Sequence, residues 1–358
     1  MNLSSEEINT LIENPIEAVK MANLVYVSEH HLSINRKKVG RGFAYYRKDQ
    51  KIADKKVLER IKKLVIPPAW KNVRITHLDN GHLQVVGRDD KERKQYMYHP
   101  LWSKIRNQTK FFKIAAFAKL LPKIRKQVDE DLDLDNMSKR KILALIIRLM
   151  EETHIRIGND YYAKNNKTYG LSTFRTRHVK TYKHEIKFEF VGKKGKEHSI
   201  SVKDKKLIKL VNQCEEIPGW ELFKFYDEKG HKQALDSGMI NDYIHELSGD
   251  MFSAKDFRTW SATKIFFETL KEIGYTSEEK ENKKNLITAY DAAASGLGNT
   301  RAVCRSYYVH PKIVQAYETG EIVPYFKKVK EDNHQNYTSL SNTEKVILEM
   351  IEDYEIDI

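Results

Sequence analysis

Between Val25 and about Pro100 the apolar residues come in short alternating runs broken by turn signals, whereas after Pro100 they recur at helical spacing. That change of period predicts an α+β protein with two bodies. The first is a small N-terminal twisted β-sheet domain with a helix, over 23–100. The second is a larger, mostly α-helical domain over 101–325 that carries a β-hairpin, with the boundary near 99–105. In the first body, Val73–Thr76 and His82–Val86 read as strands, Asn80-Gly81 as the hairpin turn between them, and a helix is expected around Val57–Leu64. Residues 1–22 read as a short amphipathic helix beginning at Ser4 or Ser5, with Glu6 and Glu7 in its first turn, where carboxylates suit the helix dipole.

In the second body, Leu101–Val128 has helical spacing and Asp129–Asp135 (DEDLDLD) reads as an acidic break. Ser138 is then expected to cap a helix to about Thr153, with Ile142, Leu145, Ile146 and Leu149 on its core stripe. From Tyr182 to Phe190 the chain alternates, with His184, Ile186, Phe188 and Phe190 on one face and Lys183, Glu185, Lys187 and Glu189 on the other. Gly192-Lys193-Lys194-Gly195-Lys196 forms a tight basic turn, and Ser199–Val202 returns. Ser253 caps a helix to about Ile273. A helical run from Asn285 to Ala294 ends at Gly296, a polar connector holds Asn299 and Arg301, and Pro311 and Gly320 bracket a further helix. Residues 326–358 are either an acidic tail or a terminal helix built on Val346, Ile347, Met350 and Ile351.

Charge points to a partner. The net charge is +13, and residues 31–110 alone carry 21 Lys and Arg against 7 Asp and Glu, while the last 28 residues carry 1 against 8. A basic body with an acidic tail fits a surface for a polyanion, nucleic acid first. Two distant cysteines, Cys214 and Cys304, without metal-ligand spacing argue against a disulfide framework and a structural zinc site. A polar, acidic start and the lack of a long apolar run lead to the expectation of a cytoplasmic protein.

The stretch Gly296–Tyr317 holds the most pointed chemistry. Tyr307 and Tyr308 precede His310-Pro311, with Arg301 and Arg305 close in sequence. A phenol is a weak nucleophile, and attack on phosphate needs cations to favour the phenolate and to neutralise the phosphoryl oxygens. Arg156 follows the Ser138 helix directly. Lys193 lies in a basic fingertip, and Arg258 sits beside Asp256 and Trp260, where packing and a carboxylate would orient it. In Gly87–Tyr98, Tyr96 and Tyr98 share one face of an extended segment rich in Lys and Arg, suited to contact DNA. Each feature singly is also what packing or solubility produces.

Five fragments occur in order: RIG (156–158), GLSTFRTRH (170–178), FVGKKGK (190–196), KDFRTW (255–260) and LGNTRAVCRSYYVHP (297–311). With VIPPAW (65–70) and GRDDKERKQYMY (87–98), they make the chain resemble the type IB DNA topoisomerases of the small bacterial and poxvirus kind over roughly 25–320. The resemblance implies that Tyr308, rather than Tyr307, is the nucleophile. It implies that Arg156 and Arg258 bind the scissile phosphate and that Lys193 is the general acid for the 5′ oxygen. Asn299 stands where the family pattern has a histidine that donates to a phosphate oxygen; an amide keeps a neutral hydrogen bond but cannot be protonated. DNA contacts are implied for Arg88, Arg93, Lys94, Gln95, Tyr96, Tyr98, Tyr162, Arg175 and Arg177. The implied activity is relaxation of supercoiled duplex DNA through a 3′-phosphotyrosyl intermediate, strand rotation and religation. No cofactor, ATP or metal is required, with Mg2+ or salt at most stimulating turnover. The implied partner is double-stranded DNA held by a monomer acting as a two-domain clamp at the nucleoid. A tyrosine recombinase and a catalytically inactive DNA-binding relative stand as alternatives, and an RNA-binding module behind them.

Overall fold

The computed structural model describes residues 14–90, 92, 94–227, 229–249, 251–330 and 337–354. Contacts divide the chain into a first unit running to Lys110 and a second running from Phe111 to Tyr354.

The first unit is built on six antiparallel strands: β1 (Ile34–Val39), β2 (Gly42–Arg47), β3 (Gln50–Lys51), β4 (Lys71–Ile75), β5 (Leu83–Arg88) and β6 (Lys94–Tyr98), in the order β3-β2-β1-β4-β5-β6. Alternation buries Val73, Ile75 and Val85 with Ile34 under helix α2 (Lys55–Lys63), which contributes Ile61 and is capped by Asp54. A preceding helix, α1 (Pro15–Met21), packs Ala18 and Val19 on Trp102 and Ile105. The expected start of a helix at Ser4 or Ser5 lies outside the described residues.

Asn80-Gly81 does not make the two-residue hairpin that the sequence suggested, because β4 ends at Ile75 and β5 begins at Leu83. Gly81 is needed for a close approach instead: a Cβ there would stand 2.6 Å from Val27 Cγ2. The intervening loop is tied by Gln84, whose amide donates to the Gly81 and Asp79 carbonyls while Arg60 donates to its oxygen.

Helix α3 (Pro100–Leu132) spans the division between the units, and α4 (Lys139–Thr153), capped by Ser138, forms the centre of the second. The acidic break begins later than expected, since Asp129, Glu130 and Asp131 are helical. Their carboxylates serve tertiary pairs: Asp131 accepts from Tyr243 Oη at 2.6 Å and from Arg140 Nε at 2.9 Å, and Asp129 accepts from Arg148. After α5 (Asp160–Asn166) comes a three-stranded antiparallel sheet, β7 (Val179–Thr181), β8 (Ile186–Val191) and β9 (Glu197–Val202), with Ile186, Phe188 and Phe190 on its buried face, whereas His184 lies in the turn before β8 and is exposed. Helix α6 (Lys205–Glu216), the short pair β10 (Lys224–Tyr226) and β11 (Lys232–Ala234), α7 (Ser237–Ser248) and α8 (Ala254–Ile273) follow. Helix α4 is buried among α6, α7 and α8.

Helix α9 (Glu279–Leu297) runs past Gly296 and stops at Gly298, which adopts the left-handed conformation (φ +61°) of a C-cap. The connector is correspondingly short, and α10 (Arg301–Tyr307), capped by Thr300, occupies what read as irregular chain. Helices α11 (Pro311–Thr319), α12 (Val323–Lys328) and α13 (Asn342–Ile351) complete the unit. Within the terminal segment Asn342–Ile351 is thus a packed helix, with Val346, Ile347, Met350 and Ile351 buried. Its anchor is Glu344, buried, which accepts from Arg125 at 2.8 and 2.9 Å and from Trp260 Nε1 at 2.9 Å.

Burial opposes ionisation of Glu344, but the hydrogen bonds and charge of Arg125 outweigh it and pull its pKa down to about 2. The carboxylate's contribution is complete above the ordinary Glu pKa of 4.5 and is lost as pH falls towards 2. Glu344→Ala, which leaves Arg125 half-paired in the interior, should cost about 3–5 kcal/mol in urea unfolding at neutral pH. The deficit relative to wild type should shrink when the melts are repeated near pH 2.

Candidate active site

Helix α4 ends at His154 in a left-handed cap (φ +54°), which turns the chain so that Arg156 leaves the helix end on a short strap. Backbone bonds hold that strap: Leu171 N donates to Arg156 O at 2.9 Å and Ser172 N to Ile157 O at 2.6 Å. Gly170 permits the approach, since a Cβ there would stand 2.4 Å from Arg156 O.

Arg258, in α8, is only 5% exposed. Its guanidinium donates to the carbonyl of His154 and, at 2.8 Å, to that of Leu297. Those oxygens close α4 and α9, so one buried cation satisfies the open C-terminal ends of two helices. The carboxylate expected to orient it does not do so. Asp256, two positions earlier on the helix, faces elsewhere, caps α8 at Ser253 N (2.9 Å) and pairs with Lys113 at 3.2 Å. The Nε of Arg258 is buried with no hydrogen-bond partner among the described residues.

Asn299 follows the Gly298 cap, its N–H bonded to Ala294 O at 2.8 Å, and its side-chain oxygen accepts from Arg156. Tyr308 is the C-cap of α10, half-buried, with its ring 5.7 Å from the Arg258 guanidinium carbon. Tyr307 is half exposed, whereas Tyr308 is partly buried and packs on the hydrophobic core of the second unit. Thr263, fully buried on α8, brackets the tyrosine: its hydroxyl lies 3.3 Å from Tyr308 O and accepts from His310 N at 3.2 Å.

Lys193 stands at the tip between β8 and β9, in a turn closed by Gly192 N to Lys196 O at 2.7 Å. Partial desolvation lowers its pKa, and the positive charge of Arg156 lowers it further, while the Tyr308 phenol and Arg258 are also near enough to act on it. Arg156 and Arg258 are both held below the ordinary guanidinium range, in each case by burial first, with Arg156's charge adding to the effect on Arg258. The fold therefore brings Arg156, Lys193, Arg258, Asn299 and Tyr308 together. It does not bring in Arg301, which is bound to Asp291 at 2.5 and 2.6 Å on the surface.

The DNA-contact candidates fall in both units. On β6, Lys94, Tyr96 and Tyr98 are exposed on one face, the tyrosine rings 6.1 Å apart and 15° from parallel, with Lys94 over Tyr96 and Arg106 over Tyr98. Gln95 lies on the opposite face, donating to Asp89 at 2.9 Å, and Arg88 donates to Glu92 O. Arg93 lies outside the described residues. In the second unit Arg175 and Arg177 flank the Tyr169 ring, each 5.8 Å from its centre, and Arg175 also faces the exposed Trp220. Tyr162 is exposed beside Tyr161. Trp220 and Thr263 carried no sequence signal: one is an isolated aromatic, the other acts through a main-chain contact. Among the described residues no group of three or more His, Cys, Asp or Glu is placed to hold a metal ion, and no helix is long and apolar enough to cross a membrane.

A phenol among two guanidiniums and an ammonium, with basic aromatic surface besides, is the equipment of a protein that handles phosphodiesters. Residues 99–336 match the family described as eukaryotic DNA topoisomerase I, catalytic core, and residues 42–89 match that described as bacterial DNA topoisomerase IB, N-terminal domain. The chain is 32% identical over 302 residues to DNA topoisomerase 1B of Acanthamoeba polyphaga mimivirus, which covers 82% of this chain and 90% of that one. It is 23% identical over 233 residues to DNA topoisomerase 1B of vaccinia virus (strain Copenhagen), covering 64% and 71% respectively. The chain belongs to the type IB DNA topoisomerase family, and its substrate is DNA.

Thr263→Val keeps the shape of the side chain but removes the acceptor for His310 N–H. It should lower the unfolding free energy by about 1–3 kcal/mol in urea melts.

Proposed function

We propose that this enzyme relaxes supercoiled duplex DNA by cutting and rejoining one strand through a 3′-phosphotyrosyl link, without ATP or metal. The convergence of Arg156, Lys193, Arg258 and Asn299 on Tyr308 is the observation that carries the reading. Tyr308, having given its phenol proton to water, forms a bond from its oxygen to phosphorus as the bond to the 5′ oxygen breaks, and Lys193 gives that oxygen its proton. Arg156 and Arg258 neutralise the non-bridging oxygens, with the Asn299 amide, tied to Arg156, beside them. Desolvation and Arg156 make Lys193 a stronger acid than an ordinary lysine, as proton delivery to an alkoxide requires. After the free strand rotates, the 5′ hydroxyl attacks phosphorus, returns its proton to Lys193 and releases Tyr308. The phosphodiester energy is kept in the tyrosyl ester throughout, so no external energy source is needed.

Binding is expected to rest on phosphate contacts from the Lys and Arg of both units, including the β6 face and the Arg175–Arg177 cluster, with the enzyme acting as a monomer. Affinity should therefore fall steeply with salt.

Plasmid relaxation in EDTA without ATP is the primary test. Wild type should relax and leave a detergent-trapped adduct on the 3′ side of the nick, while Tyr308→Phe binds DNA but forms no adduct. An adduct in that variant would assign the nucleophile elsewhere, and strand exchange between two duplexes would favour a recombinase. Lys193→Ala should slow cleavage by about 10²–10⁴-fold. A substrate with a 5′-phosphorothiolate at the scissile position, whose leaving group needs no proton, should restore it; absence of rescue would remove Lys193 from the acid role.

A further inference from the structure

One imidazole separates the turn that presents Lys193 from the turn that presents Asn299. His198, on β9, stacks on Phe190 with ring centroids 4.9 Å apart and planes 12° from parallel. Its Cδ2 and Nε2 lie 2.7 Å from where a Cβ on Gly192 would stand, and its Cε1 lies 2.2 Å from where a Cβ on Gly298 would stand. Gly298 is also required by its positive φ. Gly192 is not: its φ of −94° suits any residue, so the ring's bulk is what demands a glycine there. The imidazole is thus seated against the residue before Lys193 on one side and the residue before Asn299 on the other. It lines the same small cavity as Arg156, Lys193 and Leu297.

We propose that His198 is a positioning residue: its ring is the spacer that docks the Lys193 turn against the Gly298–Asn299 turn and so sets where the ammonium meets the 5′ oxygen. The bonds that close the tip, Gly192 N to Lys196 O at 2.7 Å and Gly195 N to Gly192 O at 3.1 Å, lie within the hairpin and do not tie it to α9. Without the ring the two glycines would face each other across a gap, and the tip could settle in several places. Burial lowers the imidazole's pKa, and Lys196, Arg156 and Arg258 lower it further, so the spacer is neutral at pH 7 and adds no fourth cation to the cluster.

The inference rests on the reading of Lys193 as the general acid, and the test separates the two. Single-turnover cleavage of a duplex oligonucleotide is measured with ordinary and 5′-phosphorothiolate linkages for wild type, His198→Ala and His198→Phe. His198→Ala should cleave the ordinary linkage about 10–100-fold more slowly, the scale expected of a catalytic group displaced by about 1 Å. It should cleave the phosphorothiolate within a few-fold of wild type, because misplacement of the acid no longer matters. His198→Phe, which keeps the stacked bulk, should recover most of the loss.

Equal slowing on both linkages, no slowing of the ordinary one, or a His198→Phe variant as slow as His198→Ala would overturn the spacer role. Should His198→Ala fail to fold, the phenylalanine variant decides alone, and a rate far below wild type on the ordinary linkage rejects the proposal. Failure of Lys193→Ala to be rescued by sulfur would instead strike the general-acid reading beneath it.

Discussion

A guanidinium leaves water at least cost where oxygen atoms receive its protons, and the two terminal nitrogens of Arg258 find them at the ends of two helices. The carbonyls of His154 and Leu297 are groups that α4 and α9 cannot satisfy internally, and they carry the negative end of each helix dipole. Once both are committed to one cation, the residues that leave those helix ends are committed too. Arg156 lies two positions beyond His154 and Asn299 two beyond Leu297, and the hydrogen bond between them closes the circle. The aromatic face of Tyr308 is packed over the result. Two guanidiniums and an ammonium this close raise one another's cost of ionisation, a strain that an anionic phosphate would relieve.

The scaffold is stiffened from behind by a second cation held in the same manner. Arg125 on α3 joins Glu151 on α4 and Glu344 on α13, and Glu344 also takes the indole N–H of Trp260, two residues from Arg258. The helix Asn342–Ile351 within the acidic terminal segment is therefore packed. Its carboxylate is a strut, and its apolar residues are core. Buried charge is stable here because the carboxylates that take it, Glu151 and Glu344, are themselves held by packed helices.

Much of this could be read along the chain wherever the cause is local. Ser138, Pro311 and Gly320 start or end helices because a cap hydroxyl, a missing N–H or a positive φ acts within a few residues. Ile186, Phe188 and Phe190 showed their buried face by alternation alone. Readings failed where a distant partner intervened. Asp129 and Asp131 look like helix breakers until Arg148, Arg140 and Tyr243 arrive to pair with them. Asn80-Gly81 looks like a hairpin until Val27 is seen to need the space.

The sequence by itself determined the α+β class, the change from sheet to helix near Pro100, the basic first body and an ordered set of fragments resembling one enzyme family. These follow from composition, period and spacing, which act at short range. Tertiary structure alone decided which cations stand by the tyrosine. Arg301, close in sequence, is taken by Asp291. Arg156, Lys193 and Arg258 come from a helix end, a hairpin tip and a helix, and Arg156 meets Arg258 because one buried guanidinium finds two helix-end carbonyls. Main-chain oxygens carry no side-chain signature, so no pattern along the chain could announce them.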